Sequence, residues 1–164
     1  GGEACLLIDA YLPGMSGLDL LRQMNDMGYQ LPAIMITGNS DVPMVVEAMK
    51  LGALDFIEKP IGAEALIAGI EHALELSRDE SKLHVWRQSA VDHLAGLTSR
   101  QRKIMDMVLA GHPSKNIAAD LGISQRTVES HRAAIMKKTE TKSLPALARL
   151  AVAAASGKTG ETKT

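Results

Sequence analysis

A chain of 164 residues, 46% hydrophobic and 23% charged, is a soluble, folded protein with room for one domain or two small ones. No apolar run is long enough to span a membrane, no basic leader precedes a signal-like stretch, and the single Cys5 excludes an internal disulfide. Net charge is −1, yet the chain divided after Leu83 carries five Lys and Arg against thirteen Asp and Glu in front, and thirteen against six behind. That split predicts two modules with different partners. Cys5 sits in an apolar run, where packing in a reducing cytoplasm is its expected role. Gly1 in place of an initiator Met reads as a processed or cut chain.

In chain order, Ala4 to Ile8 is a short apolar run ending in Asp9 and followed by Pro13-Gly14-Met15-Ser16-Gly17, the pattern of a buried strand emptying into a loop. Ser16 caps a helix with Leu18, Leu21 and Met24 inward, Asp19 at its capping-box position and Gly28 at its close. A second strand runs from Ala33 to Thr37. A helix follows from about Val42 to Leu51, with Val42, Val45, Val46 and Met49 inward. A third strand runs from Ala53 to Glu58 and is stopped by Lys59-Pro60. From about Ala63 a long helix carries Leu66, Ile70, Ala73 and Leu74. Strands alternating with helices predict a parallel sheet covered by helices.

Ligands of such sheets gather outside the carboxyl ends of the strands, and three ends here offer Asp9, Thr37 and Lys59. A carboxylate can attack phosphorus, an ammonium can offset oxyanion charge and a hydroxyl can bind another oxygen, so the trio suits a phosphoryl group. Singly, Asp or Thr caps a turn and Lys is solvated; their joint placement carries the reading. The run Leu6 to Asp9 with Leu12 to Gly17, the segment Ile34 to Gly38, and the stretch Asp41 to Pro60 resemble the FixJ-type receiver domain of two-component response regulators. The resemblance implies that Asp9 is the phosphoacceptor, that Thr37 and Lys59 sense the phosphoryl group, and that the bond before Pro60 is cis. Phe56 is open to two readings, plain core packing or the family's aromatic switch.

A receiver of that family begins with a strand bearing an acidic pair that helps hold Mg²⁺, then a helix and a second strand; this chain starts just before the phosphoacceptor strand. Roughly one and a half βα units are expected to be missing, at about thirty residues per βαβ unit. Mg²⁺ is implied for the intact receiver. Here Asp9 and the backbone carbonyl of Tyr11 remain, and one carboxylate holds an octahedral cation weakly. Apolar sheet surface is expected to be exposed.

Charged residues interrupt the apolar pattern from Ser77 to Gly96, which reads as a linker with Trp86 resting on either module. The five histidines lack metal-ligand spacing. Thr98 to Gln101 forms a capping box for a helix with Ile104, Met105 and Val108 inward. Ser114 is expected to cap a short helix bearing Ile117, Ala118 and Leu121, which Gly122 ends. Ser124 caps the next, with Val128, His131 and Ile135 inward and Arg126, Glu129, Ser130, Ala133 and Lys137 opposite. Two short helices joined by a Gly-containing turn make a helix-turn-helix, or else an ordinary hairpin with a solvated basic face. The tail Gly160–Thr164 is expected to fray.

The outward stripe suits a major groove, with Arg126, Thr127, Lys137 and Lys138 for phosphates and Glu129, Ser130 and Ala133 for bases. Residues Thr98 to Gly111, and the string Lys115, Ile117, Ala118, Leu121, Ile123, Ser124, Thr127, Val128, His131, Arg132, Ile135, Lys138, resemble the LuxR/FixJ-type DNA-binding domain. That family has four helices, the third reading DNA and the fourth, opening here near Ser143 and Pro145, often serving dimerisation. Gln101 stands where an acid is common, and the usual Asn of the turn is displaced in Pro113-Ser114-Lys115-Asn116. Lys115, His131 and Arg132 complete the candidate DNA-contacting set.

The expectation is therefore an α/β, flavodoxin-like but incomplete receiver over 1–80, a linker over 81–96 and an all-α helix-turn-helix domain over 97–157. Implied partners are double-stranded DNA, a sensor histidine kinase, RNA polymerase and a second copy on activation. Two rivals remain: a DNA-binding or interaction protein indifferent to phosphorylation, and a haloacid-dehalogenase-type phosphatase. The latter wants a second Asp two residues after its nucleophile, where this chain has Tyr11.

Overall fold

The computed structural model describes residues 2–38 and 42–159. Asp41, part of the receiver-like signature, and the tail Gly160–Thr164 lie outside the described residues. The chain divides into two compact units, the first reaching to Trp86 and the second starting at Arg87.

In the first unit, β1 (Leu6–Asp9), β4 (Ala33–Thr37) and β5 (Asp55–Glu58) form a parallel sheet in the order β1-β4-β5. Leu7 pairs with Ile34 and Asp9 with Ile36, while Ile36 pairs with Ile57 and Thr37 with Glu58. The register brings the carboxyl ends of all three strands to one edge. β4 is central, and its Ala33, Ile34, Met35 and Thr37 are buried, which explains a nearly continuous apolar run. Helices α1 (Gly17–Asp26) and α2 (Val42–Lys50) contact each other, and right-handed crossovers put both on one face. The other face is covered by α3 (Ala63–Arg78), through a core of Ile34, Ile57 and Ala73 with Cys5, Leu54, Leu66 and Ile70 packed against it. Cys5 is a free thiol there, and burial raises its pKa. Leu7 of β1 is 42% exposed.

Two local expectations change. The segment after Asp9, read as loop, is a small antiparallel hairpin of β2 (Tyr11–Leu12) and β3 (Met15–Ser16) turning on Pro13-Gly14, with Gly14 at φ 77. Pro followed by a left-handed Gly is the residue pair that such a tight turn requires. β5 starts at Asp55 rather than Ala53, because the Ala53 amide closes the end of α2 on Ala48 O at 3.0 Å. Ser16 caps α1 as expected, accepting from the Asp19 amide, and the Lys59-Pro60 bond is cis.

Helix α4 (Glu80–Ala95) occupies the stretch read as linker. Trp86 meets His72 edge-on at 6.2 Å, which places its ring in the first unit. The second unit continues with α5 (Ser99–Leu109), α6 (Ser114–Leu121), α7 (Gln125–Lys138) and α8 (Leu144–Thr159) around Ile104, Met105, Val108, Ile117, Val128, Ile135 and Leu147. Thr98 and Gln101 form the full capping box, Gly122 ends α6 at φ 65, and the Ser143 hydroxyl receives the Ala146 amide where α8 opens. Ser114 does not cap α6: Pro113 holds the cap position, and Ser114, the first helical residue, is buried. Proline already has the extended conformation a cap needs, which leaves the serine hydroxyl for a tertiary partner.

Candidate functional sites

Asp9 ends β1, and Lys59 follows β5. The Lys59 ammonium lies 2.6 Å from Asp9 Oδ2, and the Tyr11 amide donates to Asp9 Oδ1 at 3.0 Å. The Lys59 hydrogen bond first, then that of Tyr11, holds the Asp9 carboxyl below its usual pKa. An ionised carboxylate beside an ammonium is a nucleophile with its charge partner in place. The Lys59 amide donates to Thr37 O at 2.8 Å, which ties the lysine loop to the end of the central strand. The side chain of Thr37 is fully buried, and Phe56 is half-buried on β5, level with Met35.

Gly17 is a residue that sequence reading noted only as part of a loop motif. A Cβ there would stand 2.3 Å from the Asp9 carbonyl oxygen, so the start of α1 lies directly against the backbone of Asp9. Its amide donates to Ala10 O at 3.0 Å. Glycine is required by this close approach, and the Ser16-Gly17 pair before a helix was the available signal.

Receiver domains use Mg²⁺ beside the phosphoacceptor, so the donors around Asp9 are the relevant test. Among the described residues no group of three or more His, Cys, Asp and Glu could hold a metal ion, and Asp9 is paired with the Lys59 cation. Asp9 and the Tyr11 carbonyl do not by themselves make a Mg²⁺ shell.

The second site is the outer face of α7. Ser124 caps the helix by accepting from the Thr127 amide, and the two hydroxyls meet at 2.8 Å. Val128 and Ile135 are buried and His131 is half-buried, while Gln125, Arg126, Thr127, Glu129, Ser130, Ala133, Lys137 and Lys138 are exposed. Lys115 is exposed on α6. Two of the cations have internal partners. Arg132 donates to the Ser114 hydroxyl at 2.8 Å, joining α7 to the start of α6. Lys138 donates to Gln101 Oε1 at 2.9 Å and reaches Gly96 O at 3.3 Å, joining the end of α7 to the cap of α5. The two helices of the motif are thus held together by side chains as well as by their apolar core.

Comparison with known proteins agrees with both halves. Residues 3–71 match the response regulator receiver domain, and residues 95–151 match the LuxR family of bacterial regulatory proteins. The transcriptional regulatory protein FixJ of Rhizobium meliloti is 47% identical over 153 residues, covering 93% of this chain and 74% of its own length. FixJ of Azorhizobium caulinodans is 43% identical over 152 residues, covering 93% of this chain and 72% of its own length. The solved structure of RcsB from Salmonella enterica serovar Typhimurium, bound to promoter rprA in the presence of a BeF3− phosphomimetic, has a TM-score of 0.56. It is 16% identical, covers 86% of this chain and 75% of that one, and supports the fold alone.

A receiver-type sheet followed by a helix-turn-helix defines a response regulator, a DNA-binding transcriptional regulator of a two-component system. The chain belongs to the FixJ family of these regulators, whose members are transcriptional regulators rather than enzymes. Among the described residues, no helix is long and apolar enough to cross a membrane.

Proposed function

We propose that Asp9 is the residue phosphorylated by the sensor histidine kinase, and that the exposed face of α7 is the surface that reads double-stranded DNA. The observation that carries the first part is the Asp9–Lys59 contact at the carboxyl edge of the sheet. An Asp9 oxygen attacks the phosphorus of a phosphohistidine; the P–N bond breaks, the imidazole nitrogen takes the electron pair and a proton, and an acyl phosphate forms. Lys59 passes from the carboxylate to a phosphoryl oxygen. Thr37, buried in this structure, turns its hydroxyl toward the same group, and Phe56 follows as the switch. The face of α2, β5 and α3 then pairs with a second copy, bringing two reading helices onto two half-sites.

In this reading residues 1–80 belong to the receiver, 81–96 link, and 97–157 bind DNA, in the cytoplasm and within reach of RNA polymerase. Lys115, Arg126, Thr127 and Lys137 meet phosphates, joined by Lys138 when its ammonium leaves Gln101; Glu129, Ser130 and Ala133 meet bases. His131 and Arg132 support the helix from its half-buried side. Acetyl phosphate or beryllofluoride with Mg²⁺ tests the switch: a rise in dimer and in DNA affinity that Asp9→Asn abolishes supports it. Unchanged assembly and affinity refute it. That outcome, with DNA binding intact, selects the second reading, a regulator indifferent to phosphorylation, which the lack among the described residues of a group of three or more acidic, His or Cys side chains able to hold a metal favours.

A further inference from the structure

Gln125 is the first residue of α7, is exposed, and lies one helical turn before Glu129 on the same face. Its amide nitrogen is 3.5 Å from Glu129 Oε1. A carboxylate only accepts, so it turns the Gln125 NH2 group toward itself and the carbonyl Oε1 outward. Glu129 keeps its second oxygen for the groove. The pair therefore presents two hydrogen-bond acceptors on one face of α7.

In the major groove, acceptors are answered by exocyclic amines, cytosine N4 and adenine N6. An unpinned glutamine reads adenine with both ends of its amide, accepting from N6 and donating to N7. Here the donor end is turned to Glu129. Adenine N7 would then face an acceptor, as would N7 and O6 of guanine, whereas cytosine offers its donor alone. We propose that Gln125 is a specificity-determining residue which, together with Glu129, selects cytosine at two neighbouring positions of each half-site on the strand that α7 reads. The inference rests on α7 entering the major groove.

The experiment is selection by the full chain from duplexes with a randomised 20-base-pair segment, with wild type, Gln125→Ala and Glu129→Gln in parallel. Wild type should enrich cytosine at two positions. Gln125→Ala should lose preference at one of them by about 2- to 12-fold, the worth of a single hydrogen bond, keep the other, and leave the salt dependence of binding unchanged. Glu129→Gln should relax cytosine at the second position and admit adenine at the first, because the released glutamine can again donate to N7. An identical selected sequence for wild type and Gln125→Ala overturns the proposal. So does a uniform loss of affinity across all sequences, the sign of a structural role. If wild type retains no duplex at all at low salt, the DNA-reading assignment of α7 falls as well.

Discussion

Replacing Gly17 by Ala should destabilise the first unit. The added Cβ would lie 2.3 Å from the Asp9 carbonyl oxygen and 3.0 Å from both the Asp9 carbonyl carbon and Ala10 Cα, against an ordinary contact of 3.4 Å or more. Every one of those atoms is backbone, so the first turn of α1 or the end of β1 must move by about an ångström. Overpacking of this kind costs about 1–3 kcal/mol, and backbone on both sides puts the cost near the top of that range. Alanine recovers at most about 0.5–1 kcal/mol through helix propensity, so a net loss of about 2 kcal/mol is expected. For a unit of this size the thermal midpoint should fall by roughly 8–16 °C.

Trp86, the only tryptophan, reports on that unit through its contact with His72, so urea and thermal unfolding followed by its fluorescence measure the change. Gly62→Ala is the control. Gly62 caps α3 at φ −83 and an added Cβ would meet nothing within 4 Å, so its effect should stay within about 0.5 kcal/mol. Equal stability of Gly17→Ala and wild type would refute the argument from close approach.

Further expectations concern both units. Arg126→Ala should reduce the slope of log affinity against log salt by about 0.9, whereas Arg132→Ala, whose partner is Ser114, should lower the unit's melting temperature and change the slope little; equal slope losses would show that Arg132 meets phosphate. Thr98→Ala removes a hydroxyl that accepts the Gln101 amide and should cost about 1 kcal/mol, read by circular dichroism in urea. His93 has the Ser89 carbonyl 2.8 Å from one ring nitrogen and the Glu140 carboxylate 3.2 Å from the other, and these two acceptors, the carbonyl first, raise its pKa above 6.5. A raised folded value means that the stabilisation is complete below the unfolded pKa and is lost as pH rises through the folded one. His93→Gln should therefore be less stable than wild type at about pH 5.5 and match it at about pH 8.5; a gap independent of pH would dismiss the ionised pair. Asp9 has the opposite sign. Its carboxyl is held low chiefly by Lys59, so that contribution persists above the unfolded pKa and is lost on acidification, and Lys59→Ala should raise the Asp9 pKa measured by carbon NMR.

Features that depend on neighbours a few residues away are legible from the residues alone. Ser16, Thr98, Ser124 and Gly122 mark helix ends through bonds spanning three or four positions, and Ala33 to Ile36 is apolar without alternation because both sides of the strand are covered. The same local reading missed the hairpin at Tyr11–Ser16 and gave Ser114 a cap's role, since Pro113 beside it could satisfy the same geometry. Which charges meet is set by the packing of distant elements. Asp9 and Lys59 are 50 residues apart and touch because parallel strands end at one edge; Arg132 and Lys138 are drawn inward by partners 18 and 37 residues away. A long flexible cation looks the same in sequence whether it faces phosphate or a hydroxyl of its own fold, because that choice is made by the packing of whole elements rather than by helical period.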